Sequence, residues 1–251
     1  MELYSPATSQ AADRAVSDPP ALEFVDVTLR PTWPYDTALE AVNFALRPGE
    51  LILITLAPGH VRSPFADLTQ ALIHPHGGEV RFAGRSWKTM SPTITARNRS
   101  RIGRVFDVGG WVSNLDVDEN VLLAQRHHNT APAAELRQRA DELARRFGMD
   151  GVPTRRPAEA SQSELRMSQW VRALLAPMSV LVLERPTRDV RPEAIAPFLE
   201  SIGAARARGT AVLWITTDGA APGLMQNIAP PDVTERYAVR GDQLVGETAG
   251  R

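Results

Sequence analysis

Three stretches constrain this chain more than any others: LILITL (51–56), SVLVLERP (179–186) and TAVLWIT (210–216). Each is a near-continuous apolar run rich in Leu, Val and Ile, the pattern of a strand buried on both faces. Between and before them lie helical patterns. In APAAELRQRADELARRFGM (131–149), Leu136, Ala140, Leu143, Ala144 and Phe147 share one face, Arg and Glu the other, and Gly148 supplies a C-terminal stop. SELRMSQWVRALLA (163–176) and PEAIAPFLESIGAARARG (192–209) read the same way. Buried strands alternating with helices predict an α/β fold with a mostly parallel core sheet.

The remaining strands predict an antiparallel β portion. ALEFVDVTL (21–29) alternates, ALEAVNFALRPGE (38–50) runs into a Pro-Gly turn, GGEVRFAG (77–84) is short, and RYAVRGDQLVGE (236–247) is a hairpin with a Gly-Asp turn. LITLAPGHVRSPFADL (53–68) reads as a strand, a tight turn and a helix start, and SPFADLTQALI (63–73) as that helix. Such a strand-loop-helix is how a phosphate-cradling loop is built, yet this one has a single glycine and no lysine. Residues 1–20 read as a flexible tail and 21–250 as one domain, with a helical lobe at about 90–175.

The 251 residues are 43% hydrophobic, enough for one large core or two small ones. The formal charge of −1, from 28 basic and 29 acidic residues, argues against a nucleic-acid partner. The absence of cysteine fits a cytoplasmic protein. The N-terminus lacks the basic start and apolar stretch of a signal peptide. No apolar run approaches the roughly 18 residues that span a bilayer, so at a membrane another chain must hold this one. Lys88 is the only lysine, and an Arg at a lysine-specific position is read with that bias in mind. His74 and His76 in a turn, and His127 and His128 ending a helix, read as surface, and no metal site is expected.

At this point the order of segments becomes specific. RPGE followed by strand, loop, helix and HPHGGEVRFAGR (74–85) resembles the "GE…GPSGSGKST…PxxGEVxxxGR" pattern of ABC transporter ATP-binding cassettes. RIGRVFD (101–107) resembles the Q-loop strand, LDVDENVLL (115–123) the segment after it, and PAEASQSELRMSQWVRALL (157–175) the signature helix. VLVLERPT (180–187) resembles the Walker B strand and AVLWITTD (211–218) the switch strand. The resemblance runs from about residue 22 to 247 and implies a P-loop NTPase-like cassette. Within the family, VGGWVSNLDVDENVLLAQRHH (108–128) is most similar to the ATPases of Mce/Mla-type lipid transport systems.

The resemblance also locates departures. The three glycine positions of the phosphate loop hold Leu56, Gly59 and Val61; the lysine position holds Arg62, followed by Ser63 and then Pro64, which has no N–H to donate. Gly59, Arg62 and Ser63 are thus a vestigial phosphate loop. The Q-loop glutamine position is Asp107, the metal-organising acid is Glu184, the water-positioning glutamate is Arg185, and the switch histidine is Thr217. Losing the general base removes a factor of about 10²- to 10⁴-fold in rate. The adenine-stacking aromatic aligns with Pro31, with Trp33 or Tyr35 as substitutes, and the D-loop aspartate with Arg191. The signature SGGQ reads SQSE (161–164) and keeps only Ser161.

These features lead to the expectation of a pseudo-ATPase with no intact catalytic residue and no bound cofactor. It would act as a structural or regulatory subunit of a transmembrane permease in lipid transport. It would pair with a second cassette, as homo- or heterodimer, and lie on the cytoplasmic inner face of the cell membrane. Gly109, Gly110 and Trp111 are the expected permease contact, since the family meets its permease near the Q-loop; a core role for Trp111 is the alternative. Trp87, Trp170 and Trp214 are expected in the core. The alternatives are an active subunit with divergent motifs, binding ATP and Mg²⁺, and an interaction module unconnected to transport. The strands 51–56 and 180–183 are expected to be neighbours in one parallel sheet.

Overall fold

The computed structural model describes residues 19–30, 33–58, 60, 62–128, 131–217 and 232–247. Gly59, Val61, Pro31 and the expected tail over 1–18 lie outside the described residues. Two sheets stack. The first is four-stranded and antiparallel: β1 (Leu22–Leu29), β2 (Leu39–Leu46), β4 (Gly77–Phe82) and β5 (Arg85–Ser86), in the order β2-β1-β4-β5. The second is six-stranded: β3 (Leu51–Leu56), β6 (Ile102–Val105), β7 (Val180–Glu184), β8 (Ala211–Thr217), β9 (Glu235–Arg240) and β10 (Gln243–Glu247), in the order β10-β9-β3-β8-β7-β6. Every pairing in it is parallel except the β9–β10 hairpin.

The apolar runs are explained by what covers each face. Ile52, Ile54, Val180, Val182, Leu213 and Ile215 point into one core shared with Phe24, Phe44, Val80 and Phe82 of the antiparallel sheet. Their sequence neighbours Leu51, Leu53, Leu181, Leu183, Val212 and Trp214 point into a second core, shared with the helices. Side chains alternate along a strand, so a strand covered on both sides must be apolar at every position.

The helices are α1 (Phe65–Thr69), α2 (Pro92–Arg99), α3 (Val117–His127), α4 (Ala133–Arg146), α5 (Gln162–Leu174) and α6 (Pro192–Ala207). Leu136, Ala140, Ala144 and Phe147 are buried as the periodicity predicts, and Gly148 ends the segment at φ +81°. Trp170 stacks on Phe198 at 4.2 Å between ring centres, and Phe147 meets Trp170 edge-on. Trp87, Trp170 and Trp214 are core residues, as read.

Two expectations are corrected. The 51–56 and 180–184 strands share the parallel sheet, but β8 lies between them. The β7–α6–β8 unit is a short crossover, and such units place consecutive strands side by side; apolar periodicity carries no record of that order. The helix expected over 63–73 covers only Phe65–Thr69. Ala71 turns to φ +52°, and the amides of Ala71 and Leu72 bond back to the carbonyls of Leu68 and Asp67. That is a Schellman stop with alanine where glycine is usual.

Candidate functional site

The loop after β3 is where a phosphate site would form, and its neighbours define it. Residues 33–38, between β1 and β2, fold across it. The Asp36 N–H donates to the Arg62 carbonyl at 3.2 Å, and the Arg62 N–H donates to both Asp36 carboxylate oxygens at 3.2 Å. Thr37, fully buried, has Oγ1 2.8 Å from His60 Nδ1. The Tyr35 hydroxyl donates to Asp67 Oδ2 on α1 at 2.6 Å, and burial together with that bond raises its pKa. Trp33 is 92% exposed, so of the two candidate aromatics only Tyr35 reaches the loop. The Arg62 side chain is exposed, whereas Ser63 is buried and its Oγ accepts the Phe65 N–H at 3.4 Å.

Behind the loop lies an arginine that sequence reasoning missed. Arg104, on β6, donates to Glu184 Oε2 at 2.7 Å, to Asp67 Oδ1 at 2.5 Å and to Gln70 Oε1 at 3.1 Å. Burial alone lowers the Arg104 pKa, but Glu184 and Asp67 outweigh it and the net shift is upward. Glu184 is shifted upward by burial, against the pull of Arg104. The legible signal was a charged residue in a short, otherwise apolar strand, since a charge inside a sheet needs opposite charges beside it.

Asp107 and Arg185 meet directly. Arg185 Nε donates to Asp107 Oδ1 at 2.8 Å and Nη2 donates to Oδ2. Arg188 adds a contact to Oδ1 at 2.8 Å, and Arg166 and Arg188 donate to the Asp107 carbonyl at 2.8 and 3.0 Å. Arg185 has φ +41°, and its N–H is held by the Ile215 carbonyl at 2.8 Å. Thr217 ends β8 opposite Leu56 and is half-buried.

Ser161 caps α5. Its Oγ accepts the Glu164 N–H at 3.2 Å and donates to Glu164 Oε2 at 2.8 Å, while the Ser161 N–H reaches the same carboxylate at 2.9 Å. This is a capping box. The Ser161 backbone bond, then its hydroxyl and Arg155, hold the Glu164 carboxyl below the usual range. Arg191 donates to the Gly148 carbonyl at 3.0 Å.

Beside the Q-loop segment is a cavity of about 600 Å³, lined among others by Ile102, Phe106, Val112, Leu123, Met178 and Arg172. Gly109 and Gly110 are exposed and take φ +75° and +78°; a side chain on Gly110 would meet the Phe106 ring at 2.7 Å. Trp111 is half-buried against the helical core, so it belongs partly to that core and partly to the surface. Its ring lies 4.9 Å from the Arg172 guanidinium, which also lies 5.2 Å from the Phe106 ring. Arg172 Nη1 donates to the Gly110 carbonyl at 2.6 Å, but Nη2 is shut off from water with no hydrogen-bond partner. Burial, with nearby Arg104, lowers the Arg172 pKa to about 10. His76 Nδ1 accepts the Arg30 N–H at 3.3 Å, and His127 and His128 are exposed.

The ABC transporter family model matches residues 39–188. The chain belongs to the ABC transporter family. Among similar ABC proteins is the lipoprotein-releasing system ATP-binding protein LolD of Maricaulis maris, 29% identical over 76% of this chain and 83% of that protein. Another is the ribose import ATP-binding protein RbsA 1 of Rubrobacter xylanophilus, 25% identical over 92% of this chain, which spans only 44% of that relative's length. A dimeric bacterial ABC transporter cassette, MJ0796, superposes with a TM-score of 0.75 at 17% identity, covering 89% of this chain and 96% of that one. The ABC cassette fold inferred from the ordered motifs is therefore the fold observed. Among the described residues, no helix is long and apolar enough to cross a membrane.

Proposed function

We propose that this ABC cassette is a pseudo-ATPase, a subunit that retains the fold and its docking surfaces while neither holding Mg²⁺–ATP nor hydrolysing it. The observation that carries this reading is the closed Arg185–Asp107 ion pair. By the family resemblance these two positions would supply a water-positioning glutamate and the Q-loop glutamine. Here Arg185 supplies no carboxylate, and the Asp107 carboxylate is engaged by Arg185 and Arg188 instead of facing water. The residues around the loop do not fit the cofactor either. Glu184 would have to release Arg104 before it could organise a cation. Ser161, through its N–H and its hydroxyl, already serves the Glu164 carboxylate, so the one residue kept from the signature is engaged in its own capping box. A phosphate-release assay with an intact ABC ATPase as positive control tests this, and turnover above background by the purified chain refutes it.

The same reading gives the chain a membrane permease and a second cassette as partners, on the inner face of the cell membrane. The cavity near the Q-loop supports the permease: it is apolar, and Val112 and Leu123 on its rim are 43% and 46% exposed. Exposed apolar surface next to a cavity marks partner surfaces. Arg172 gives it a cation without a carboxylate partner among the described residues. A role in lipid transport rests on the resemblance of residues 108–128 to Mce/Mla-type ATPases and is consistent with similarity to a lipoprotein-releasing protein. Co-fractionation of the tagged chain with cell membranes and a co-purifying ABC permease tests the partner.

A further inference from the structure

The segment Tyr35–Thr37 makes three successive contacts with the phosphate-loop region. Tyr35 bonds to Asp67 behind the loop, Asp36 exchanges backbone and carboxylate bonds with Arg62, and Thr37 bonds to His60. The Asp36 contact uses a backbone amide that an incoming phosphate would need, and the acid that Tyr35 reaches is one of two already tied to Arg104. The Arg62 amide already has an anionic acceptor. Asp67 and Glu184, two carboxylates in one site, already share a cation in Arg104. Thr37 is fully buried against the loop. The arrangement differs from an ordinary turn contact in its reciprocity and in its charges: a carboxylate on a phosphate-loop amide, and a guanidinium joining two acids as a divalent ion would.

We propose that Tyr35-Asp36-Thr37 is a built-in occupant of the phosphate loop, with the Asp36 carboxylate in the place of a phosphate oxygen and Arg104 in the place of the divalent cation. The described loop residues His60 and Arg62 are thereby held by the chain itself, and the Arg62 amide is closed to polyphosphate anions. This rests on the pseudo-ATPase reading and extends it: the Arg62 amide, where a phosphate oxygen would bind, is met by an internal ligand.

The test uses the full chain, inorganic pyrophosphate and ATP without metal as probes, and two substitutions, Asp36→Ala and Asp36→Asn. For wild type, neither probe should shift the melting temperature or give saturable heat. Asp36→Ala should melt lower by about 3–8 °C, the effect expected of one lost charge-assisted contact in a chain of this size. It should recover part of that loss in millimolar pyrophosphate, with saturable binding; Asp36→Asn, which keeps an acceptor but no charge, should fall between. Pyrophosphate binding to wild type as strong as to Asp36→Ala overturns the proposal. So does an Asp36→Ala protein that gains no pyrophosphate binding, whether or not it is destabilised. If Asp36→Ala does not fold, Asp36→Asn and amide exchange on wild type decide: an Arg62 N–H exchanging at the rate of an unprotected amide overturns it, and a protected one supports it. Hydrolysis by wild type would instead refute the pseudo-ATPase reading. A wild type that is inert, with an Asp36→Ala that stays closed to pyrophosphate, would sink the internal ligand alone.

Discussion

Arg185 grips Asp107 with two prongs, Nε on Oδ1 at 2.8 Å and Nη2 on Oδ2, across 78 residues of sequence. The side chains are only 16% and 12% exposed, so the pair is dry enough for its loss to matter. Arg185→Glu, which restores the glutamate expected from the family, should therefore destabilise the chain by roughly 2–4 kcal/mol. It breaks a buried pair and sets two carboxylates together, while Arg188 retains part of the charge balance. Adding Asp107→Arg should recover much of the loss. Urea denaturation of the two singles and the double checks this, and additive losses would contradict it.

Arg104 holds two acids at once, so Arg104→Met should cost more, about 3–5 kcal/mol. It leaves the Glu184 carboxylate buried without its cation, and its protonated form is then favoured further. Because a raised folded pKa means the native state binds the extra proton, the variant should gain stability as pH falls from neutral towards 5. Thermal melts of wild type and variant across that range give the sign.

The capping box behaves oppositely. Glu164→Ala should cost roughly 1 kcal/mol by removing the reciprocal bonds at the start of α5. The folded Glu164 carboxyl lies below its ordinary value of 4.5. Its contribution is thus present above 4.5 and disappears as pH falls through the lowered folded value. The stability gap between wild type and Glu164→Ala should be constant from pH 7 to 5 and close in stronger acid.

For the partner surface, Arg172→Glu and Trp111→Ala should each reduce co-purification with the permease, the tryptophan by about 10-fold or more if it is a buried anchor. Arg62→Ala, with an exposed side chain that does not line the cavity, should leave assembly unchanged. Equal retention of all three would remove the cavity from the account.

The fold was legible because its strands obey one rule: a sheet covered by a second sheet on one side and helices on the other has no polar position to spare, and LILITL shows that directly. What was not legible was pairwise. The insertion of β8 between β3 and β7 follows from crossover geometry, not from the composition of any strand. The early stop of α1 depends on Ala71 adopting a backbone shape that glycine usually marks. At the site, the sequence located Asp107, Arg185 and Glu184 by position. The lone arginine of β6 called for acidic partners, but nothing said that Asp107 and Arg185 pair, that Tyr35 and Asp36 reach Asp67 and Arg62, or that Arg104 finds Glu184. Those are contacts between residues 26 to 80 apart, and a single sequence carries no pairwise information at that range.

Replacing Arg62 by lysine should not produce an ATPase, because Asp36, Arg104 and Arg185 would still occupy the groups that nucleotide, cation and water require. Residues that act as a unit are not restored one at a time. Phosphate release by Arg62→Lys should stay at background.

The central claim is tested most directly by calorimetric titration of the wild-type chain with Mg²⁺–ATP. The account predicts no saturable heat at millimolar nucleotide, and a micromolar dissociation constant would contradict it.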